Sequence, residues 1–216
     1  MTSKKIYLIR HGQTELNRRG IVQGGGVDAS LNAEGVRQSL AFFHTYRDIA
    51  FDQIFTSTLR RAVESVQPFL DLGIPHERLP GLNEISWGVH EGKEITPEED
   101  TYYHWMLKQW QEGQTHLKID GGESPEDVVV RQREALDYIL GKDGQQTILI
   151  CMHGRAMRIL LTQLLHYPLR AMDLFEHRNL CLYTLQGSGR MFRVEQYNDV
   201  SHLRVHAQPS THTQLT

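Results

Sequence analysis

The chain has only two cysteines in 216 residues, Cys151 and Cys181, so no framework of disulfides can hold it together. Both stand in apolar stretches and read as buried free thiols, which suits a reducing cytoplasm. No apolar run approaches the ~18 residues that cross a bilayer. Only four apolar residues, Ile6 to Ile9, separate the basic start from Arg10. A secretory apolar region needs about 7–15, so this stretch is read as a first strand. No run of five like charges exists, and 23 basic against 26 acidic residues leave a net charge of −3. Generic nucleic-acid binding needs a basic excess on one face. There is no H-E-x-x-H, no C-x-x-C and no G-x-x-x-x-G-K-[ST], hence no signature of a zinc site or of nucleoside triphosphate hydrolysis. Among twelve histidines, His202 and His206 have ligand-pair spacing, but His206 falls in a tail rich in His, Thr, Gln and Ser. No metal and no cofactor are expected.

What is present is 39% hydrophobic, ample for a core. Lys5–Arg10, Phe51–Thr56 and Thr147–Met152 are short, β-rich and almost continuously apolar, as strands buried on both faces of a parallel sheet should be. Helical periods lie between them. Val36, Leu40 and Phe43 share one helix face; Leu59, Ala62, Val63, Val66 and Leu70 share another. Ser124-Pro125-Glu126-Asp127 predicts a helix start, with a run to about Leu140, and a further helix spans Ala156 to about Leu165. Alternating strands and helices predict a three-layer α/β/α domain with a mostly parallel central sheet. Residues 1–203 form one domain, in which 81–123 is an insertion over the sheet edge; 204–216 read as a mobile tail.

In open α/β sheets, ligands bind beyond the carboxyl ends of the strands. The first strand ends in Arg10-His11-Gly12, the second in Thr56-Ser57-Thr58-Leu59-Arg60-Arg61, and the third in Met152-His153-Gly154-Arg155. A lone His-Gly after a strand is most often a turn, and an arginine at a helix start is most often solvated. Three such elements at strand ends are hard to attribute to coincidence. They bring imidazoles, guanidiniums and helix N-termini to one edge, a set suited to phosphate.

Arg10-His11-Gly12-Gln13-Thr14-Glu15-Leu16-Asn17 resembles the opening motif of the histidine phosphatase (phosphoglycerate mutase-like) superfamily. Thr56 to Ala62, Leu82 to Gly92, Gly121-Gly122-Glu123-Ser124 with Arg131, His153-Gly154 and Asn198 to Leu203 match the same family in order. The resemblance implies a phosphoglycerate mutase-like fold. It also implies that His11 becomes phosphohistidine, that Arg10, Arg61 and His153 hold the phosphoryl oxygens, and that Glu84 is general acid and base. Asn17, Gln23 and Gly154 would line the same phosphate, and Arg60 would be a surface residue. Leu82-Asn83-Glu84-Ile85 and Ala156-Met157-Arg158 are similar to the bisphosphatase domain of fructose-2,6-bisphosphate enzymes.

The expected partner is a small phosphorylated metabolite such as a sugar phosphate, with no nucleic acid and no membrane; a homodimer stays open. Two other readings are a cofactor-dependent phosphoglycerate mutase and a catalytically silent phosphate-binding domain. The aromatic group Tyr102, Tyr103, Trp105, Met106 and Trp110 reads either as packing or as a lid wall over the substrate.

Overall fold

The computed structural model describes residues 3–205. In chain order it runs β1 (Ser3–Arg10), α1 (Glu15–Arg18), α2 (Ala33–Tyr46), β2 (Gln53–Thr56), α3 (Arg60–Leu70) and β3 (His76–Arg78). There follow α4 (Pro97–Gln111), α5 (Pro125–Gly141), β4 (Thr147–Met152), α6 (Gly154–Leu164), β5 (Leu182–Ser188), β6 (Met191–Asp199) and α7 (Ser201–Val205). The six strands form one sheet in the order β3-β2-β4-β1-β5-β6. The first four are parallel, and β5 and β6 are antiparallel additions.

Successive side chains of a strand point to opposite faces, and the core follows that alternation. Ile6, Leu8, Ile148 and Ile150 pack with Leu136, Ile139 and Leu160 of α5 and α6. Tyr7, Ile9, Leu149 and Cys151 pack with Phe42, Val66 and Phe69 of α2 and α3. Both cysteines are buried and free. No described helix is long and apolar enough to cross a membrane.

Three expectations need correction. The buried face of α2 is Gly35, Ser39 and Phe42, while Val36 and Leu40 are exposed. A Cβ on Gly35 would lie 2.1 Å from the Gln13 carbonyl oxygen, so close backbone approach, rather than apolar count, selects the face. The segment 81–123 joins a third cluster, in which Trp87, Met106 and Trp110 pack on Val128 of α5 and Ile159 of α6. That cluster contains no strand residue, and only Leu82 of the segment joins a cluster with strand residues, so the insertion packs mainly on helices. Finally, Arg204 and Val205 belong to α7, and 206–216, with His206, lie outside the described residues.

Candidate active site

Strands β1, β2 and β4 are mutually parallel, with Arg10 level with Met152 and Thr56 level with Cys151. Their carboxyl ends therefore open at one edge, where a cavity of about 370 Å³ lies. Arg10, His11, Asn17, Gln23, Glu84 and Gly154 line it. Arg61 and His153 sit beneath, fully buried.

The His11 ring is held by its Nδ1, 2.7 Å from the Gly12 carbonyl oxygen. A carbonyl only accepts, so Nδ1 carries the proton and the lone pair is on Nε2. Burial, then the charges of Arg10 and Arg61, push the His11 pKa well below its ordinary value. His11 is thus a neutral base in a positive surrounding. The ring of His153 lies 5.1 Å away, centroid to centroid. Arg61 Nε donates to His153 Nδ1 at 3.2 Å, which leaves the proton on Nε2, 2.7 Å from Ser57 Oγ. Burial and the Arg61 charge also push the His153 pKa well down.

Arg61 donates besides to the carbonyls of Gly24 and Val27, and so ties the 24–27 loop to α3. Its guanidinium acts on His11 electrostatically from below the cavity floor. Arg60 is exposed and pairs with Asp28, as expected of a surface residue. Asn17 caps α1 in a box with Thr14. Its Oδ1 accepts from Thr14 N and from Asn179 Nδ2, both at 3.2 Å, so Nδ2 is left to donate. Gln23 is anchored on Thr14 Oγ1 at 2.7 Å. Gly154 lies against the ring of His177, where a Cβ would come within 2.7 Å.

The Glu84 carboxylate stands at the N-terminus of α6, which has no side-chain cap of its own. Oε1 accepts from Ile85 N at 3.0 Å and Ala156 N at 2.8 Å; Oε2 accepts from Arg155 N at 3.1 Å. Helix-terminal amides lack partners within the helix, and Glu84 satisfies two of them from a distant loop. Oε1 has both lone pairs occupied, so Oε2 is the oxygen with room for a proton. The loop is fixed by Arg131, all of whose donors are engaged: with the carbonyls of Gly81, Asn83 and Glu84, and with Glu123 in bidentate fashion.

A model of the histidine phosphatase superfamily (branch 1) matches residues 6–200. The chain belongs to the histidine phosphatase superfamily. It is 33% identical over 168 residues to mouse 6-phosphofructo-2-kinase/fructose-2,6-bisphosphatase 1, across 76% of this chain and 33% of that protein. The chain thus spans about a third of the length of such curated relatives. Against the probable phosphoglycerate mutase GpmB of Erwinia tasmaniensis it is 28% identical, over 92% of this chain and 94% of that one. The solved alpha-ribazole phosphatase of Shigella flexneri superposes with a TM-score of 0.79 at 24% identity, covering 90% and 96% of the two chains, which shows a shared fold.

Several residues of this histidine phosphatase site were not singled out as functional from sequence. Arg155 and Arg158 line the cavity and meet on Asp173, with Arg158 Nη1 at 2.6 Å from it. The Arg155 guanidinium lies over Trp110, 5.6 Å from the ring centroid. His177 contacts Arg10, and Asn179 contacts Asn17. The arginines are visible in the sequence beside His153; the 177–180 segment carries no motif that would have marked it. The aromatic group divides: Tyr103 lines the cavity, Trp110 is core, and Tyr102 and Trp105 stack on each other at the surface. Among the described residues, no group of three His, Cys, Asp or Glu could hold a metal ion.

Proposed function

We propose that this chain is a phosphomonoesterase that works through a phosphohistidine on His11 Nε2. The observation that carries the reading is the Gly12 carbonyl locked on His11 Nδ1, which leaves an unprotonated Nε2 in a cavity edged by Arg10 and Glu84. In the first step the Nε2–P bond forms and the P–O ester bond breaks, with Glu84 Oε2 giving its proton to the departing alkoxide. In the second, water attacks phosphorus, Glu84 takes the water's proton, and phosphate leaves with the Nε2–P electron pair returned to His11. Arg10 faces the equatorial oxygens with Asn17 and Gln23 as neutral donors, and Arg61, held by His153, offsets their charge from beneath; such charge stabilisation is the principal catalytic contribution in phosphoryl transfer.

The substrate of this reading is a small phosphorylated metabolite, in keeping with a cavity of about 370 Å³. The activities that the relatives' names carry, on fructose 2,6-bisphosphate and alpha-ribazole phosphate, favour hydrolysis of compact phosphomonoesters. Two buried free thiols support a reducing compartment, hence the cytoplasm.

The full-length similarity to a probable phosphoglycerate mutase favours a second reading, in which a sugar-acid hydroxyl replaces water as acceptor. A panel of sugar phosphates, phosphoglycerates and p-nitrophenyl phosphate separates the two. Release of inorganic phosphate without isomerisation supports the phosphatase; isomerisation stimulated by 2,3-bisphosphoglycerate would replace it with the mutase.

A further inference from the structure

The segment between α6 and β5 crosses the cavity edge, and its side chains reach back to the groups that face phosphate. His177 Nδ1 lies 3.2 Å from Arg10 Nη1. A guanidinium only donates, so His177 accepts there. Two residues on, Asn179 Nδ2 donates to the His11 carbonyl at 3.0 Å and to Asn17 Oδ1 at 3.2 Å. Leu180, in the left-handed region at φ 53°, turns its amide to the Arg10 carbonyl at 3.1 Å.

We infer that His177 and Asn179 are positioning residues for phosphoryl transfer, His177 aiming the Arg10 guanidinium and Asn179 setting the Asn17 amide. The inference rests on the reading of Arg10 and Asn17 as phosphate donors.

The geometry of each contact has a chemical consequence. Arg10 is half-buried, and its buried Nε has no partner among the described residues. Its orientation is therefore set by what holds Nη1, and that partner is His177. To accept, the imidazole must be neutral. Burial and the charges of Arg10, Arg158 and Arg155 push its pKa down to about 2, so it accepts at any working pH. Asn17 faces a parallel choice. An amide rotated by half a turn presents oxygen to an anion in place of N–H. Asn179 and the Thr14 amide both donate to Asn17 Oδ1, so only the donor end can face the cavity. His177 and Asn179 thus act through other residues, on the angle and polarity of two anion donors.

The test compares His177→Asn, His177→Leu and Asn179→Asp with the wild type. Asparagine keeps an acceptor near the place of Nδ1; leucine removes it; aspartate keeps the shape of Asn179 but cannot donate. Competitive inhibition by inorganic phosphate and kcat/KM for p-nitrophenyl phosphate are the readouts, with thermal unfolding as control. His177→Leu and Asn179→Asp should each weaken phosphate binding and kcat/KM about tenfold, short of the ~10²–10³-fold that outright loss of an oxyanion donor costs. His177→Asn should restore phosphate binding to within about threefold of wild type, less than the effect of one ordinary hydrogen bond. Should His177→Leu fail to fold, Asn179→Asp and His177→Asn still decide the matter. Phosphate binding and turnover unchanged in Asn179→Asp, or equally impaired in His177→Asn and His177→Leu, would overturn the inference. Failure of the catalytic reading looks different: His11→Ala would keep its turnover, whatever the phosphate affinities.

Discussion

At the scale of single residues, chemistry here depends on which atom of each group is already engaged. His11 spends Nδ1 on Gly12, His153 spends Nδ1 on Arg61, and Glu84 spends three of its four lone pairs on backbone amides. Glu84 therefore has two duties, proton transfer and capping of α6. Glu84→Gln should lose the first and, at the Arg155 amide, half of the second. Turnover should fall by about 10²–10³-fold, the usual loss for a general acid-base. The amide NH₂ would also face a backbone N–H, costing about 1–2 kcal/mol of stability. Steady-state kinetics and urea unfolding of the same variant check the two together. A loss of rate with unaltered unfolding would show that the capping bonds do not contribute to stability. These atom-level assignments were only half legible in sequence. His11, Arg10, Arg61, Glu84 and His153 stand at strand ends or in matching motifs, and the fold brings them together. Nothing in the sequence says that Arg61 lies under the cavity floor rather than in its wall, because that depends on the carbonyls of Gly24 and Val27.

At the scale of elements, the site is a junction of loops held by polar contacts. Glu91 ties two of them: Oε1 accepts from Trp87 N at 2.7 Å and Oε2 from Gly26 N at 2.9 Å. Glycines are required opposite it, since a Cβ at Gly24 would lie 1.9 Å from Glu91 Oε1. Glu91→Gln keeps one acceptor and loses the other. We expect a loss of about 1–2 kcal/mol, together with reduced turnover, because the same loop supplies the carbonyls that seat Arg61. Unfolding and kcat/KM both unchanged would contradict this tie. The strands that the sequence revealed, β1, β2 and β4, are those buried on both faces, whose apolar runs are continuous. Those it did not reveal lie nearer the sheet's margins: β3 has three residues, and β6 is an edge strand with mixed exposure. The misread face of α2 has the same root. Val36, Leu40 and Phe43 keep helical spacing, but the neighbours of Gly35 admit only small residues, and small residues carry no hydrophobic signal.

At the scale of the whole molecule, two buried histidines, His11 and His153, and two half-buried ones, His76 and His177, couple stability to pH. Burial lowers the pKa of His11, His153, His177 and His76 in the folded chain. The unfolded chain binds protons at these sites below about pH 6.5 and the folded chain does not, so stability falls as pH drops through that value. Carboxylates held low by partners, such as Asp127 and Glu99, lose their contribution only at more acidic pH. Thermal midpoints should therefore decline already between pH 7 and 5, and His177→Asn should make the decline shallower. A midpoint independent of pH across that window would contradict neutral burial of these rings.

The central claim concerns one bond, between phosphorus and His11 Nε2. Rapid acid-free quenching during turnover of a labelled phosphomonoester, followed by peptide mapping, tests it directly. An acid-labile, base-stable label is expected on the peptide carrying His11, absent from His11→Ala, with phosphorus on Nε2. Label on any other residue, or hydrolysis undiminished in His11→Ala, would contradict it.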